Sequence, residues 1–174
     1  MQITLASASP RRAKILEGLG VPFSVVKSDA AEVCYEGDPR RTVLENALAK
    51  GAAVAADGVL SADTIVWYQG RIYGKPADLR QAKEFLTELS GKTHSVFTGV
   101  AFDGDVKVVE SRVKFRDLTE AEIDEYVMRV RPTDRAGAYD IDESGEFIVE
   151  SYTGSYENIM GLPVEPLREW GILP

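Results

Sequence analysis

The sequence has almost no cysteine and almost no histidine, since Cys34 and His94 are the single examples among 174 residues. One cysteine excludes an internal disulfide and favours a reducing compartment, so we expect the protein to be cytoplasmic. One histidine is too few for a histidine-based metal cluster, and nothing around His94 suggests a Ser-His-Asp triad. His94 also falls at the start of a predicted strand, which favours a structural role over a catalytic one.

Long apolar runs and positive charge are also scarce. No apolar run approaches the roughly 20 residues that cross a bilayer, and residues 10–12 interrupt any leader-like pattern of charged and then apolar residues. The chain has 20 Lys and Arg residues against 28 Asp and Glu residues, a formal net charge of −8. We therefore expect no membrane segment and no broad binding of nucleic acid polymers.

Apolar residues make up 44% of the chain, which is enough for a core. The length suits one domain or two closely joined lobes, and we expect a single domain over residues 1–174. Predicted strands and helices alternate, with hairpins mixed in. This order favours an α/β fold with a mixed twisted sheet and flanking helices over an all-helical or sandwich protein.

Local patterns place the expected elements along the chain. Thr42 and Glu45 form a capping-box pair that predicts a helix from Thr42 to about residue 56, and residues 153–158 are predicted to be a polar loop. The other expected elements are a first strand near residues 3–5, strands at 23–26, 59–68, 71–73, 94–102, 106–115 and 147–152, and helices at 10–19, 79–89, 119–130 and 164–170.

The start of the chain, residues 3–12, reads as a short buried strand, a loop of small residues and a helix. Ser9 stands where a helix N-cap belongs and Pro10 where the first helical residue belongs. Arg11 and Arg12 then place two cations at the positive end of the helix dipole, which costs roughly 0.3–1 kcal/mol each. An anion bound among the backbone N–H groups and the guanidinium groups would offset this cost. The alternative is a surface helix start with two solvated arginines.

A second informative stretch runs over residues 59–76. It reads as a strand that is apolar almost throughout, a turn, and a short returning strand. Asp63 interrupts the apolar run, and a carboxylate is costly to bury unless a cation, a water or a basic side chain binds it. Lys75 follows the hairpin between a glycine and a proline. The alternatives are that Asp63 marks a strand end and that Lys75 lies in a solvated turn.

Together these residues suit a polyphosphate hydrolase. Such an enzyme needs cations to neutralise phosphates, a carboxylate to hold a metal or take a proton from water, and small residues that let the chain approach its substrate. Magnesium binds through few carboxylates plus phosphate oxygens, so the scarcity of histidine is no obstacle. The candidates for these three tasks are Arg11, Arg12, Lys50 and Lys75, then Glu32 and Asp63, and then Ser7, Ser9 and Gly137.

Several short motifs follow one another over nearly the whole chain: Leu5-Ala6-Ser7-Ala8-Ser9-Pro10-Arg11-Arg12, Ala49-Lys50, Ala62-Asp63-Thr64-Ile65-Val66, Gly74-Lys75-Pro76, Ser90-Gly91-Lys92-Thr93-His94, Ala136-Gly137-Ala138-Tyr139, Gly154-Ser155-Tyr156 and Gly161-Leu162-Pro163. Each motif alone is weak, but the set in this order is highly specific. It resembles the Maf family, which is named for inhibition of septum formation and regarded as a family of nucleoside triphosphate pyrophosphatases.

This resemblance implies hydrolysis of a nucleoside triphosphate to the monophosphate and pyrophosphate with a divalent cation, Mg²⁺ or Mn²⁺. It also implies two lobes around a cleft, in a fold similar to that of inosine triphosphate pyrophosphatases. By position, Asp63 resembles the family's general base. Asp63 and Glu32 together resemble its metal-binding residues. The residues that resemble its substrate-binding set are Ser7, Arg11, Arg12, Lys50 and Lys75.

Base preference is where the sequence departs from the family pattern. Arg12 and Thr64 match positions tied to nucleotide choice in the branch that prefers dTTP and UTP. That branch usually reads Tyr-Gly-Ile-Gln after Ala-Gly-Ala, whereas here Asp140 and Asp142 replace the glycine and the glutamine. A carboxylate cannot donate to a base edge as an amide can, so Asp142 bears on base preference. Arg135 stands where the family often has lysine and keeps the charge.

The leading hypothesis is an enzyme that hydrolyses dTTP, UTP or modified relatives. One alternative keeps the chemistry and changes the base, to 7-methyl-GTP or another non-standard nucleotide. A second is a regulatory protein of cell division that acts through a partner, and a third is a nucleotide sensor that binds without hydrolysis. The residues leave the oligomeric state open, a homodimer included.

Overall fold

The structure is a computed structural model that describes residues 1–174. Its seven strands are β1 (Ile3–Leu5), β2 (Phe23–Val25), β3 (Val59–Tyr68), β4 (Arg71–Tyr73), β5 (Thr93–Phe102), β6 (Asp105–Phe115) and β7 (Val149–Thr153). Its six helices are α1 (Pro10–Gly18), α2 (Pro39–Ala52), α3 (Leu79–Leu89), α4 (Glu120–Val130), α5 (Tyr156–Met160) and α6 (Val164–Glu169). None of these helices has the length and apolar character needed to traverse a bilayer.

All seven strands form one mixed sheet, which confirms the predicted α/β class. The order is β2-β1-β3-β5-β6-β7, with β4 paired to β3. The pairs β1–β2 and β1–β3 are parallel, and the remaining pairs are antiparallel. Of the antiparallel pairs, β3–β4 and β5–β6 are hairpins, whereas β3–β5 and β6–β7 join strands that are separated by helices.

The long strand β3 is paired differently along its two sides. On one side it pairs with β5 over residues 60–67. On the other side it pairs with β1 only at Val59 and Leu60, and with β4 only from Val66 onwards. Residues 61–65 therefore have no strand partner on that side, and this gap opens the sheet at Asp63.

Helix α2 packs directly on β3 and β5, and Gly99 is the reason it can lie so close. Gly99 is the register partner of Asp63. A Cβ atom at Gly99 would lie 2.2 Å from the backbone oxygen of Val43 in α2. Any larger residue would push the helix away from the sheet. This close approach keeps the side chains of α2 within reach of Asp63.

The structure has two large apolar cores and a third cluster of three buried residues, Val43, Ile65 and Phe97, between α2 and the sheet. One large core contains β1 and α1 together with Val164 and Leu167 of α6. The other contains the apolar faces of α3 and α4. The two share their central strands, since β5 gives Val100 to the first core and Val96 to the second. The division into two lobes stays a prediction.

Helix α2 begins earlier than the sequence analysis predicts, so the start at Thr42 is wrong. The helix starts at Pro39, and Asp38 is the N-cap, its side chain accepting a hydrogen bond from the N–H of Arg41 at 3.0 Å. A proline directly after an aspartate is itself a helix-start pattern. The hydroxyl of Thr42 instead bonds to the backbone of Tyr35, which ties the preceding loop to the helix.

The predicted polar loop at residues 153–158 is also partly wrong. Strand β7 continues to Thr153, and Ser155 caps the short helix α5 by accepting a hydrogen bond from the N–H of Asn158 at 3.1 Å. The polar residues of this stretch therefore belong to helix α5: Ser155 is its N-cap, and Asn158 is one of its buried residues. The predicted helices at 79–89 and 119–130 are confirmed as α3 and α4, with Asp78 and Thr119 as their N-caps.

His94 is a core residue, as the sequence analysis predicts. It is 2% exposed, and its ring packs edge-on against the rings of Phe115 and Tyr139. Its Nε2 forms a hydrogen bond of 2.8 Å with the hydroxyl of Tyr139. Burial lowers the pKa of His94 to about 3, so the ring is neutral in the folded protein.

The lowered pKa of His94 predicts a loss of stability at acidic pH. The unfolded chain binds a proton below about pH 6.5, whereas the folded chain binds it only near pH 3. The free energy of unfolding therefore falls by up to about 1.4 kcal/mol per pH unit through this window. Urea unfolding of the wild type and of His94→Gln between pH 4 and pH 8 measures this slope. Equal slopes in the two proteins would contradict the assignment.

The close approach at Gly99 predicts that Gly99→Ala is destabilising. The added methyl group meets helix backbone rather than a flexible side chain, so α2 must shift, and we expect a loss of about 2–3 kcal/mol. Gly37→Ala is the matched control, because a Cβ there meets nothing within 4 Å. Urea unfolding compares the two variants, and a Gly99→Ala protein as stable as the control would refute the close packing.

Candidate active site

A cleft of about 650 Å³ opens at the gap beside β3. Its walls come from the β1–α1 loop, the loop before α2, the centre of β3 and the residues that follow β4. Val66 of one core and Met160 of the other both line it, so both large cores contribute to its walls. It brings together nine of the eleven candidate site residues, namely Ser7, Ser9, Arg11, Arg12, Glu32, Lys50, Asp63, Thr64 and Lys75.

The carboxylate of Asp63 lies in the middle of the sheet and is 6% exposed. Its Oδ1 accepts a hydrogen bond of 2.8 Å from the Nζ of Lys50, and its Oδ2 accepts one of 3.0 Å from the Nδ2 of Asn46. Both donors come from α2. A buried carboxylate is tolerated when it is paired with a cation and hydrogen-bonded. The alternative in which Asp63 merely marks a strand end is therefore wrong, because the strand continues to Tyr68.

Glu32 reaches the same ammonium group from the loop before α2. Its Oε1 lies 2.9 Å from the Nζ of Lys50, so Lys50 bridges two carboxylates. Partial burial alone would raise the pKa of Glu32. The hydrogen bond and charge of Lys50 outweigh it, with help from the charges of Lys75 and Arg12, and hold the pKa below its usual value. Glu32 is therefore ionised at neutral pH.

The guanidinium group of Arg12 is hydrogen-bonded to other protein groups. Its Nε donates to the carbonyl of Gly161 at 2.8 Å, its Nη1 to the Oγ of Ser7 at 3.0 Å, and its Nη2 to the Oγ1 of Thr64 at 3.1 Å. Burial lowers the pKa of Arg12 to about 10, against the opposing effect of the Asp63 charge, so the side chain stays charged at neutral pH. Arg12 thus joins three segments at the base of the cleft.

Arg11 and Lys75 keep donors free for a ligand. Arg11 donates one hydrogen bond, of 3.2 Å, to the carbonyl of Asp134, and its Nη1 lies 3.6 Å from the carboxylate of Asp134 without a hydrogen bond. Lys75 lines the cleft and is exposed. These two cations are therefore better placed than Arg12 to meet an anion.

Asp142 is one of two candidate residues that the cleft does not include, the other being Gly137, which packs against Val66 instead. The carboxylate of Asp142 is already engaged, since Oδ1 accepts a hydrogen bond of 3.0 Å from the hydroxyl of Tyr156 and Oδ2 one of 2.5 Å from the Nζ of Lys14. The hydrogen bond and charge of Lys14 lower the pKa of Asp142, with help from Tyr156. The structure thus places Asp142 in a surface link between α1 and α5 and not among the cleft residues.

Asn46 belongs to this site although the sequence analysis does not single it out. It lies one turn before Lys50 on α2, and a spacing of four residues puts two side chains on the same face of a helix. A sequence signal could have found it, because Asn46 shares the buried face of α2 with Val43 and Ala47, so a polar side chain stands among apolar ones at helical spacing. A buried amide on such a face requires partners, and Asp63 is one of them.

The donor set of the cleft also bears on metal binding. No group of three or more His, Cys, Asp and Glu side chains is arranged to enclose a metal ion. Glu32 and Asp63 nevertheless converge on one point, where Lys50 now bridges them. Two carboxylates suit Mg²⁺, which binds through one or two protein carboxylates while phosphate oxygens and water complete its shell. The residues present therefore fit a cation that arrives with a phosphorylated ligand.

These features define an α/β protein whose central cleft sets ammonium and guanidinium groups around a pair of carboxylates. The chain matches the family described as Maf-like protein over residues 2–170, and it belongs to that family. It is 45% identical to proteins named dTTP/UTP pyrophosphatase from Bacillus anthracis (strain CDC 684 / NRRL 3495), Bacillus cereus (strain AH820) and Bacillus thuringiensis subsp. konkukian (strain 97-27). Each alignment covers 95% of this chain and 92% of the relative.

The different hydrogen bonding of the two arginines predicts different effects of replacing them. Arg11→Ala removes a cation with free donors, so we expect about tenfold weaker binding of inorganic triphosphate and little change in stability. Arg12→Ala leaves three acceptors without their donor, so we expect a loss of about 2–4 kcal/mol in the free energy of unfolding. Calorimetric titration and urea unfolding measure the two effects. Arg11→Ala with wild-type affinity would contradict the division of roles.

Proposed function

We propose that this protein hydrolyses dTTP and UTP to the monophosphate and pyrophosphate. Family membership and the name of the 45% identical relatives, dTTP/UTP pyrophosphatase, support this reaction and these substrates. The observation that carries the proposal is the position of Asp63. A nearly buried carboxylate lies in the gap of the sheet, in one cleft with Arg11 and Lys75, whose free donors suit a triphosphate. A cytoplasmic location is part of the same proposal.

Asp63 acts as the general base. Its carboxylate takes a proton from a water molecule, and the water oxygen forms a bond to the α-phosphorus. The bond from the α-phosphorus to the α–β bridging oxygen breaks, and pyrophosphate leaves with the electron pair of that bond. Arg11 and Lys75 neutralise the phosphate oxygens, and Lys50 keeps Asp63 and Glu32 side by side. Ser7, in the β1–α1 loop, lines the same cleft and completes the substrate-binding set.

Glu32 and Asp63 are the residues that would hold a divalent cation, Mg²⁺ or Mn²⁺. When bound, such a cation neutralises charge on the phosphate oxygens. The exposed position of Glu32 leaves its second carboxylate oxygen open to the cleft, since only Oε1 contacts Lys50. Lys50 would then share its two carboxylates with the cation.

In this proposal Arg12 and Thr64 determine which nucleotide base the protein prefers. The Oγ1 of Thr64 lies 2.9 Å from that of Thr98, and Arg12 joins Thr64 to the carbonyl of Gly161. This corner of the cleft is rigid because each polar atom in it has a protein partner. Asp142 acts outside it, by linking α1 to α5 through Lys14 and Tyr156.

Pyrophosphate release across a panel of nucleoside triphosphates, with Mg²⁺, with Mn²⁺ and with a chelator, tests the proposal. We expect dTTP and UTP to be preferred at least about tenfold and the chelator to abolish turnover. Asp63→Asn should keep the fold and lower kcat by about 10²–10⁴-fold, because the general base is lost. Asp105→Asn, at an exposed strand end, is the matched control and should retain full activity.

Each alternative has its own outcome in this experiment. Preferred turnover of 7-methyl-GTP or another non-standard nucleotide would replace the proposed substrates and keep the chemistry. Binding without release would indicate a nucleotide sensor. An absence of both would favour a regulatory protein that acts through a partner. Full activity of Asp63→Asn would remove the role of Asp63.

A further inference from the structure

The amide of Asn46 is buried at the back of the cleft and contacts Asp63 directly. Asn46 is 3% exposed. Its Nδ2 donates to the Oδ2 of Asp63 at 3.0 Å and to the carbonyl of Val33 at 2.9 Å, and its Oδ1 accepts from the N–H of Val33 at 2.8 Å. Both amide hydrogens and the amide oxygen are therefore used.

These contacts fix the orientation of the amide without ambiguity. A flipped Asn46 would face the carbonyl of Val33 and the carboxylate of Asp63 with its oxygen, and the N–H of Val33 with its own N–H group. All three contacts would then be repulsive. The side chain thus has one stable arrangement, and in that arrangement it presents a donor to Asp63.

Asn46 and Lys50 divide the two oxygens of Asp63 between them. An aspartate carboxylate held at one oxygen is free to swivel, because the terminal torsion of aspartate has a broad minimum. Lys50 holds Oδ1 but also contacts Glu32, so its ammonium group is shared between two carboxylates. Asn46 holds Oδ2 through a neutral donor, which fixes the plane of the carboxylate without adding a second positive charge.

The same amide also fixes the loop that carries Glu32. Val33 is the next residue after Glu32, and Asn46 bonds to both its N–H and its carbonyl. One side chain on α2 thereby links the strand that carries Asp63 to the loop that carries Glu32. The separation of the two carboxylates depends on this link.

We infer that Asn46 is a positioning residue for hydrolysis, an inference that rests on the proposed function. It holds the carboxylate of Asp63 in the plane from which it takes the proton of the attacking water, and it keeps Glu32 at a set distance from Asp63. Asn46 acts through Asp63 and the Glu32 loop. Its loss therefore affects turnover more than nucleotide binding, which depends on Arg11 and Lys75.

Steady-state kinetics of Asn46→Leu and Asn46→Ala with dTTP test this inference. Leu keeps the branched outline of the side chain without its polar atoms, and Ala leaves space and remains informative where Leu fails to fold. We expect kcat to fall at least about tenfold and KM to stay within about threefold of the wild type. Thermal unfolding identifies a temperature at which each variant is fully folded, and the kinetics are measured there.

Ser61→Ala is the matched control. The hydroxyl of Ser61 is buried and donates to the carbonyl of Ala47 at 2.7 Å, so it joins the same helix to the same strand without touching Asp63. We expect it to lose stability and to keep kcat within about twofold. Titration with a non-hydrolysable dTTP analogue adds a readout apart from turnover, and we expect both Asn46 variants to bind it as the wild type does.

Three results would overturn the inference. They are a kcat of the Asn46 variants within twofold of the wild type, a loss of analogue affinity as large as the loss of kcat, and an equal loss of kcat in Ser61→Ala. Each of these leaves the proposed function intact when the wild-type protein releases pyrophosphate. A wild-type protein that releases none from any nucleotide would overturn both.

Discussion

The negative charge of Asp63 at the centre of the sheet is the constraint on which the site depends. A carboxylate at this depth needs donors, and α2 supplies one for each oxygen, from Lys50 and from Asn46. Those donors reach Asp63 only because α2 lies directly on Gly99, the strand neighbour of Asp63. The packing of one helix against one glycine thus determines the position of the proposed general base.

The gap beside β3 lets the carboxylate of Asp63 line a cleft, although it lies in the middle of the sheet. Because β1 leaves the strand at Leu60 and β4 joins it at Val66, the residues between them face a cleft instead of another strand. The loop after β1 and the start of α1 then bring Arg11 and Ser7 to the same opening. Ligands bind at such breaks in open sheets because backbone and side chains from several elements converge there.

Much of this arrangement could be predicted from the sequence. Two features stood out because each is unfavourable unless a ligand or a partner offsets its cost. One is the pair of arginines at the start of a helix, and the other is the carboxylate in an apolar strand. Asn46 was missed because an asparagine on an otherwise apolar helix face carries no rule about which buried group it meets. Asp142 was expected near the base from its place in a motif. Its position instead depends on Lys14 and Tyr156, which no local pattern connects to it.

The two cores share β3 and β5 without any linker between them. Val96 and Val100 lie on one continuous strand, four residues apart, yet they belong to different cores. No loop hinge separates the two cores, and a change in the width of the cleft requires the sheet itself to twist. Thermal unfolding of one core exposes the strands that it shares with the other. The molecule should accordingly lose both halves in one cooperative transition.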